Sequence, residues 1–425
     1  MGLGLNAYGF FQQFNNRRYQ LRVHAMNYIE KLKHYLKLLS FTLFSAMLFL
    51  PVAGSFAYEQ NAAGAVAIGA TDDQTELVKA AFSGKEKTVK ELLDKGVSPD
   101  LQNEKGFTPL MVASQYGHLD IVEMLLDKNA HLDLQNTGGA TALIVAAKNG
   151  HEAVVKALLA KGAQVDLQTT NGISALIIAA QGGYEGTVDA LLEKDADVNL
   201  QTEEKLTALM IAALEGGASI VDKLLARGAI IDMQASDKTT ALYMAARNGH
   251  AAIVQALLAK NAPVDLIAAN QTTPLHVAAQ NGYADIVNAL LAKGANVGQE
   301  DQNQATPLTL AALIGRAEIA QALIEHGANV DHKARNGFTP LILAAQNGHV
   351  PVMQILLEKG AQINLQNDDG VTPLMWAALH DHAEAVQLLL EHDADPSIKS
   401  KSGKTAVEIA KDEVVIALLK SAADN

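Results

Sequence analysis

A Thr or Ser recurs every 33 residues along this chain: Thr75, Thr108, Thr141, Ser174, Thr207, Thr240, Thr273, Thr306, Thr339, Thr372 and Thr405. No other feature restricts the fold as much. A fixed period of this length marks a stacked array, in which each unit is one supersecondary motif that cannot bury its apolar face alone. Leu stands two residues after each internal opener, from Leu110, Leu143 and Leu176 to Leu341 and Leu374. An alanine pair follows (Ala146-Ala147, Ala344-Ala345), then a Gly nine residues after the opener (Gly117, Gly150, Gly249, Gly348). A second apolar run ends in a leucine pair such as Leu125-Leu126 or Leu356-Leu357.

One unit can be built from elementary rules. Thr is a good N-cap, because its hydroxyl accepts from an orphan N–H of the first helical turn. Pro follows in Pro109, Pro274, Pro307, Pro340 and Pro373, at a position whose N–H has no helical partner. The alanines thin the first helix for close packing, and the Gly ends it through a left-handed conformation. The second helix carries Ile121, Val122, Leu125 and Leu126 at helical spacing. It ends at Gly162, Gly228, Gly294, Gly327 or Gly360, and elsewhere at Asn129, Asp195, Asn261 or Asp393, the residues that tolerate positive φ best after Gly. A polar stretch such as 133–140 then forms a hairpin-like turn leading to the next opener.

This pattern resembles the ankyrin repeat, whose signature is Thr-Pro-Leu-His-x-Ala-Ala followed by Gly-His. Thr273-Pro-Leu-His276-Val-Ala-Ala279 matches in full, and Asn149-Gly-His151, Asn248-Gly-His250 and Asn347-Gly-His349 match the later part. The resemblance runs from 75 to about 420. Ala replaces Pro at Ala142, Ala175, Ala208 and Ala241, and the signature His occurs only as His276. It implies an all-α solenoid of helix-turn-helix units with hairpin-like turn tips. The expected organisation is an N-terminal cap over 75–107, nine internal repeats over 108–404 and a shortened C-terminal cap over 405–425. Lys79, Lys85, Lys87 and Lys90 give the first cap a polar face, and the last repeat's Leu418-Leu419 falls four residues early.

The N-terminal segment differs in kind. Residues 1–57 carry six cations and one acid, whereas the whole chain has a net charge of −13. An apolar run, Leu38 to Leu50, is too short to cross a bilayer comfortably. Ser55 and Ala57 supply the small residues of a cleavage site. The expectation is a secretory signal peptide over 1–57, with Met26 a candidate true start and an uncleaved anchor the alternative. Residues 58–74, rich in Ala and Gly, are expected to be a flexible linker. The mature chain is then periplasmic, or secreted.

The search for chemistry returns little. There are no cysteines, so thiolate metal sites, disulfides and cysteine nucleophiles are excluded. Strong negative charge argues against phosphate-backbone binding. His118, His151, His250, His349 and His382 share one repeat position, which marks them as structural. His380, His382 and His392 cluster, but His380 and His382 project to different helix faces, so no metal is expected. Gly64 and Gly69 lack the Lys-Ser/Thr of a phosphate loop. No enzyme activity and no cofactor are expected. Trp376, the only Trp, falls where other repeats carry Val, Ile, Leu or Met, and is expected to fill core.

By resemblance to ankyrin arrays, a protein partner would bind the concave surface made by turn tips and first helices. The residues at those positions are Phe107, Tyr116, Ile173, Leu206, Leu214, Glu215, Arg247, Ile267, Leu313, Ile314, Phe338, Val371 and Leu379. The expected molecule is a monomeric interaction scaffold. An effector acting on a host protein and a spacer without a tight partner are the alternatives. Two details of the tips stand out. Gly precedes the opener by two in Gly106, Gly139, Gly172, Gly337, Gly370 and Gly403, but becomes Lys205, Lys238, Gln271 and Gln304 in four consecutive middle units. Either partner contacts or drifted duplication accounts for that block. Gln recurs six before the opener at Gln102, Gln135, Gln168, Gln201, Gln234 and Gln366, a spacing that could stack the amides into a ladder.

Overall fold

The chain divides into two units, Met1–Val66 and Ala67–Asn425. In the computed structural model the described residues are 72–423, all in the second unit. The signal-peptide segment and the linker up to residue 71 lie outside them.

Each internal repeat is a pair of short helices. In the repeat opening at Thr108 these are Pro109–Tyr116 and Leu119–Asp127. Thr108 Oγ1 accepts from the Met111 N–H, and the same bond recurs at Thr141, Ser174, Thr207, Thr240, Thr273, Thr306, Thr339 and Thr372. His276 and Thr309 complete reciprocal capping boxes with Thr273 and Thr306. Gly117, Gly150, Gly249 and Gly348 all have φ between 68° and 78°, as the first helix's end requires. Asn129, Asp195, Asn261 and Asp393 also take positive φ at the end of the second helix.

First helices pack on first helices and second on second along the stack. Between them runs one continuous core of Leu, Ile, Val and Ala. The alanine pairs are fully buried, which is what lets successive first helices approach so closely. Among the described residues no strand forms; the tips hold one isolated antiparallel bridge, Gln168 to Ser174. Successive tips are joined through backbone instead. The Thr137 N–H donates to Lys105 O, Thr170 to Gly138 O, and so on down to Lys401 to Asp369 O.

Both ends depart from the internal unit. The first helix begins at Asp72, so Thr75 lies inside it and is not its cap, and 72–74 are helical where a linker was expected. Asp72 and Asp73 in its first turn favour its positive end. At the other end the first helix is cut to Ala406–Ile409, and Ala410 is extended before Glu413–Ala423 begins.

Lys205, Lys238, Gln271 and Gln304 adopt left-handed φ of 59–63°, the conformation that Gly provides in the other tips. The consequence is steric. A Cβ on Gly106, Gly139 or Gly370 would lie 2.7–2.8 Å from the backbone of the following tip. Lys and Gln bring a real Cβ to that point, yet the backbone bonds to the following tip are kept at 2.8–3.3 Å.

Candidate binding groove

The residues singled out from the sequence divide by burial. Phe107 and Leu206 are 3% and 6% exposed and belong to the core, so they are removed from the surface set. Both side chains pack into the continuous core beneath their tips. The tip closes by a bond from the Asn103 N–H to Phe107 O and from the Phe107 N–H to Asn103 Oδ1. Thr202 and Leu206 repeat the arrangement. Ile173 and Val371 share that closure yet stay half-buried, so the tip bonds alone do not bury this position. Tyr116, Ile173, Leu214, Arg247, Ile314, Phe338, Val371 and Leu379 are half-buried, and Glu215 is exposed. Leu313 and Ile267 are each 39% exposed, large values for apolar side chains.

Trp376 does not fill core as expected. It is half-buried, with its ring 5.6 Å from Phe338 of the preceding tip and stacked 5.5 Å from His380. The row continues to His382 at 6.1 Å. Trp376 Nε1 has no hydrogen-bond partner among the described residues. His380 Nδ1 donates to Trp376 O, which fixes one ring over the other. Leu313 and Ile314 sit at the same helix end two repeats earlier, and the repeat between carries half-buried Leu343 at the position of Trp376 but Gln346 and Asn347 at that helix end. Phe338, Trp376 and His380 therefore form one aromatic row, and Leu313 and Ile314 a separate apolar pair at the corresponding helix end. At the opposite end Tyr116 packs edge-on against Phe82 at 4.8 Å. Between them partial desolvation at the helix end raises the pKa of Glu215, with His250 pulling the other way.

The five histidines of shared position are structural. Each Nε2–H donates to a carbonyl of the repeat before: His118 to Phe82, His151 to Gln115, His250 to Leu214, His349 to Leu313 and His382 to Gln346, at 3.0–3.2 Å. No group of acidic residues and histidines that could hold a metal occurs among the described residues.

Family models for ankyrin repeats match over 56–136, 77–169, 128–202, 209–301 and 293–367, and a second ankyrin model over 356–410. The chain belongs to the ankyrin-repeat family. The human ASB11 ankyrin repeat domain is 29% identical over 51% of this chain and 98% of that one, with a TM-score of 0.48. No curated protein matches. An ankyrin array of this kind is a protein–protein interaction scaffold.

Sequence reading missed the polar staples that tie one ankyrin repeat to the next. An Asp or Asn eight before the opener accepts, at 2.7–3.0 Å, from a backbone N–H 31 residues on. The pairs are Asp100 with His131, Asp133 with Gln164, Asp166 with Asp197, Asn199 with Ile230, Asp265 with Asn296, Asp331 with Gln362 and Asn364 with Asp395. The only signal was the recurrence of Asp and Asn at that position. The glutamine ladder exists, but its rungs run from amide to backbone. Gln102 Nε2 donates to Gln135 O, Gln135 to Gln168 O, Gln168 to Gln201 O and Gln366 to Lys399 O, and each also bonds its own tip's Gly carbonyl. Gln201 and Gln234 make only the local bond, to Lys205 O and Lys238 O. These two rungs are missing at tips that carry Lys in place of Gly, although the backbone bonds to the next tip persist there.

Proposed function

We propose that this chain is an exported, non-enzymatic ankyrin scaffold that binds a partner protein along the concave face of its first helices. The observation that carries this reading is the aromatic row of Phe338, Trp376 and His380, with Leu313, Ile314 and Leu379 at first-helix ends of the same three repeats. Single exposed apolar residues are ordinary on a soluble surface. A row of half-buried Phe and Trp in contact is the composition of a binding hot spot, where aromatic anchors supply most of the affinity. The tips beside it, with Arg335, Asn336, Asp368 and Asp369 exposed or nearly so, provide a polar rim. Export rests on the basic segment, apolar run and small-residue site of 1–57, and places the partner in the periplasm or outside the cell.

Photo-crosslinking tests the assignment. A photoreactive phenylalanine analogue is placed at Leu313 or Leu379, and separately at the exposed second-helix positions Glu318 and Glu384. The groove positions should give an adduct with one protein, and the second-helix positions none. Adducts from Glu318 and Glu384 alone would put the site on the opposite face. Export is tested separately, by N-terminal sequencing of the mature protein, which should begin at or near Tyr58.

A further inference from the structure

Three polar stitches recur between repeats: the Asp or Asn staple, the histidine to carbonyl bond, and the glutamine rung. Most interfaces between internal repeats keep at least one. The interface between the repeats opening at Thr240 and Thr273 has none of them among the described residues. Pro263 stands where the staple's N–H donor belongs and has no N–H, so Asp232 has nothing to accept there. Tyr283 stands where the stitching His belongs; its ring covers Gly249 but carries no ring N–H to donate, and Asn281 Nδ2 takes the carbonyl that the His would take, Arg247 O. Gln234 makes only its local bond, to Lys238 O. The interfaces on either side differ. One keeps the His250 bond to Leu214 O and the Ile230 bond to Asn199, and the other keeps the Asn296 bond to Asp265.

What remains at this seam is mostly apolar. Leu242, Leu257, Leu275 and Leu290 are buried on its two sides. Ala269 N–H donates to Asp237 O at 2.8 Å, Tyr243 Oη lies 2.9 Å from Thr272 Oγ1, and Asn281 Nδ2 donates to Arg247 O. Apolar contact is non-directional and tolerates small rotations, whereas hydrogen bonds at the rims fix an angle. In a stack held only by nearest-neighbour terms, opening concentrates where the interface term is smallest. We propose that the seam between the Thr240 and Thr273 repeats is the hinge of the array, about which its two halves tilt and at which they part first. Lys238 and Gln271, one on each side of it, hold their tips in the left-handed conformation without Gly.

Hydrogen exchange on the full chain tests this. The Ala269 amide bonds across the seam, and the Thr170 amide makes the equivalent bond to Gly138 O at a stitched interface. Ala269 should exchange at least about tenfold faster than Thr170. The triple variant Lys238→Gly, Pro263→Gln, Tyr283→His supplies the missing groups, Gln being the residue at 164 and 362 in equivalent positions. It should slow Ala269 to the rate of Thr170 and leave Thr170 unchanged. Gln164→Pro does the reverse, and should raise Thr170 toward the rate of Ala269. Equal exchange of the two amides in the natural chain would overturn the proposal. So would a folded triple variant with Ala269 unchanged, or a folded Gln164→Pro with Thr170 unchanged.

Discussion

Gly117 is held by two separate constraints: a φ of 72°, and the ring of His151, whose Nδ1 would lie 2.7 Å from an added Cβ. Gly162 has a φ of 94° but nothing within 4 Å of that point. Gly162→Ala should therefore cost only the left-handed penalty, about 1–2 kcal/mol. Gly117→Ala should cost that plus the displaced His151 bond, about 1 kcal/mol more. Denaturant midpoints of the two variants measure the difference, and equal midpoints would remove the close-approach argument. His276 supplies a pH prediction. It is fully buried between Thr273, whose N–H lies 3.2 Å from Nδ1, and Ala305 O, to which Nε2–H donates. Burial lowers its pKa below the ordinary 6.5, more strongly than the bond to Ala305 raises it. The unfolded chain then binds the proton more readily than the folded one. This contribution to stability is fully present above pH 6.5 and is lost as the pH falls below it toward the folded value. Unfolding midpoints between pH 7 and 5 should fall less steeply in His276→Gln than in the natural chain.

The repeat is the natural element here, and its parts differ in how legible they were. Thr caps, glycine stops and the Asn and Asp stand-ins at helix ends are local: each is decided by φ or by an N–H within one turn, so residue type was enough. The staples were not legible, because Asp133 and Gln164 meet only when two units are stacked, 31 residues apart. The candidate site was half legible. Phe107 and Phe338 hold the same repeat position, yet one is core and the other half-exposed against Trp376. Position in the period cannot reveal that difference. The altered tips were visible as a block, and their effect is testable. Lys205→Gly or Gln304→Gly relieves a left-handed side chain at the expense of a more flexible unfolded chain, and should stabilise by about 0.5–1 kcal/mol. Leu242→Ala or Leu275→Ala, each at an inward, fully buried position, should cost about 2–5 kcal/mol. In a stack of nearest neighbours that loss should appear as a segment melting below the rest. A calorimetric trace that shifts as one cooperative peak would mean the array behaves as a single unit.

In the whole molecule the stack is a frame and the first-helix face the proposed working surface. Ion pairs such as Lys161 with Asp127 and Lys128 with Asp94 lie exposed on the second-helix side and contribute little to stability. Apolar side chains gather on the face of Leu313, Phe338 and Trp376. The chain offers its own reporter of that surface, since Trp376 is its only tryptophan. The most direct test is a titration of Trp376 emission with the protein captured at the groove. A saturable blue shift is expected as partner contacts remove water from the half-exposed ring. Leu313→Ala with Phe338→Ala should weaken the titration at least about tenfold while thermal unfolding of the array changes little. Binding of that protein, established by calorimetry, with Trp376 emission unchanged and affinity intact in the double variant, would contradict the assignment of this face.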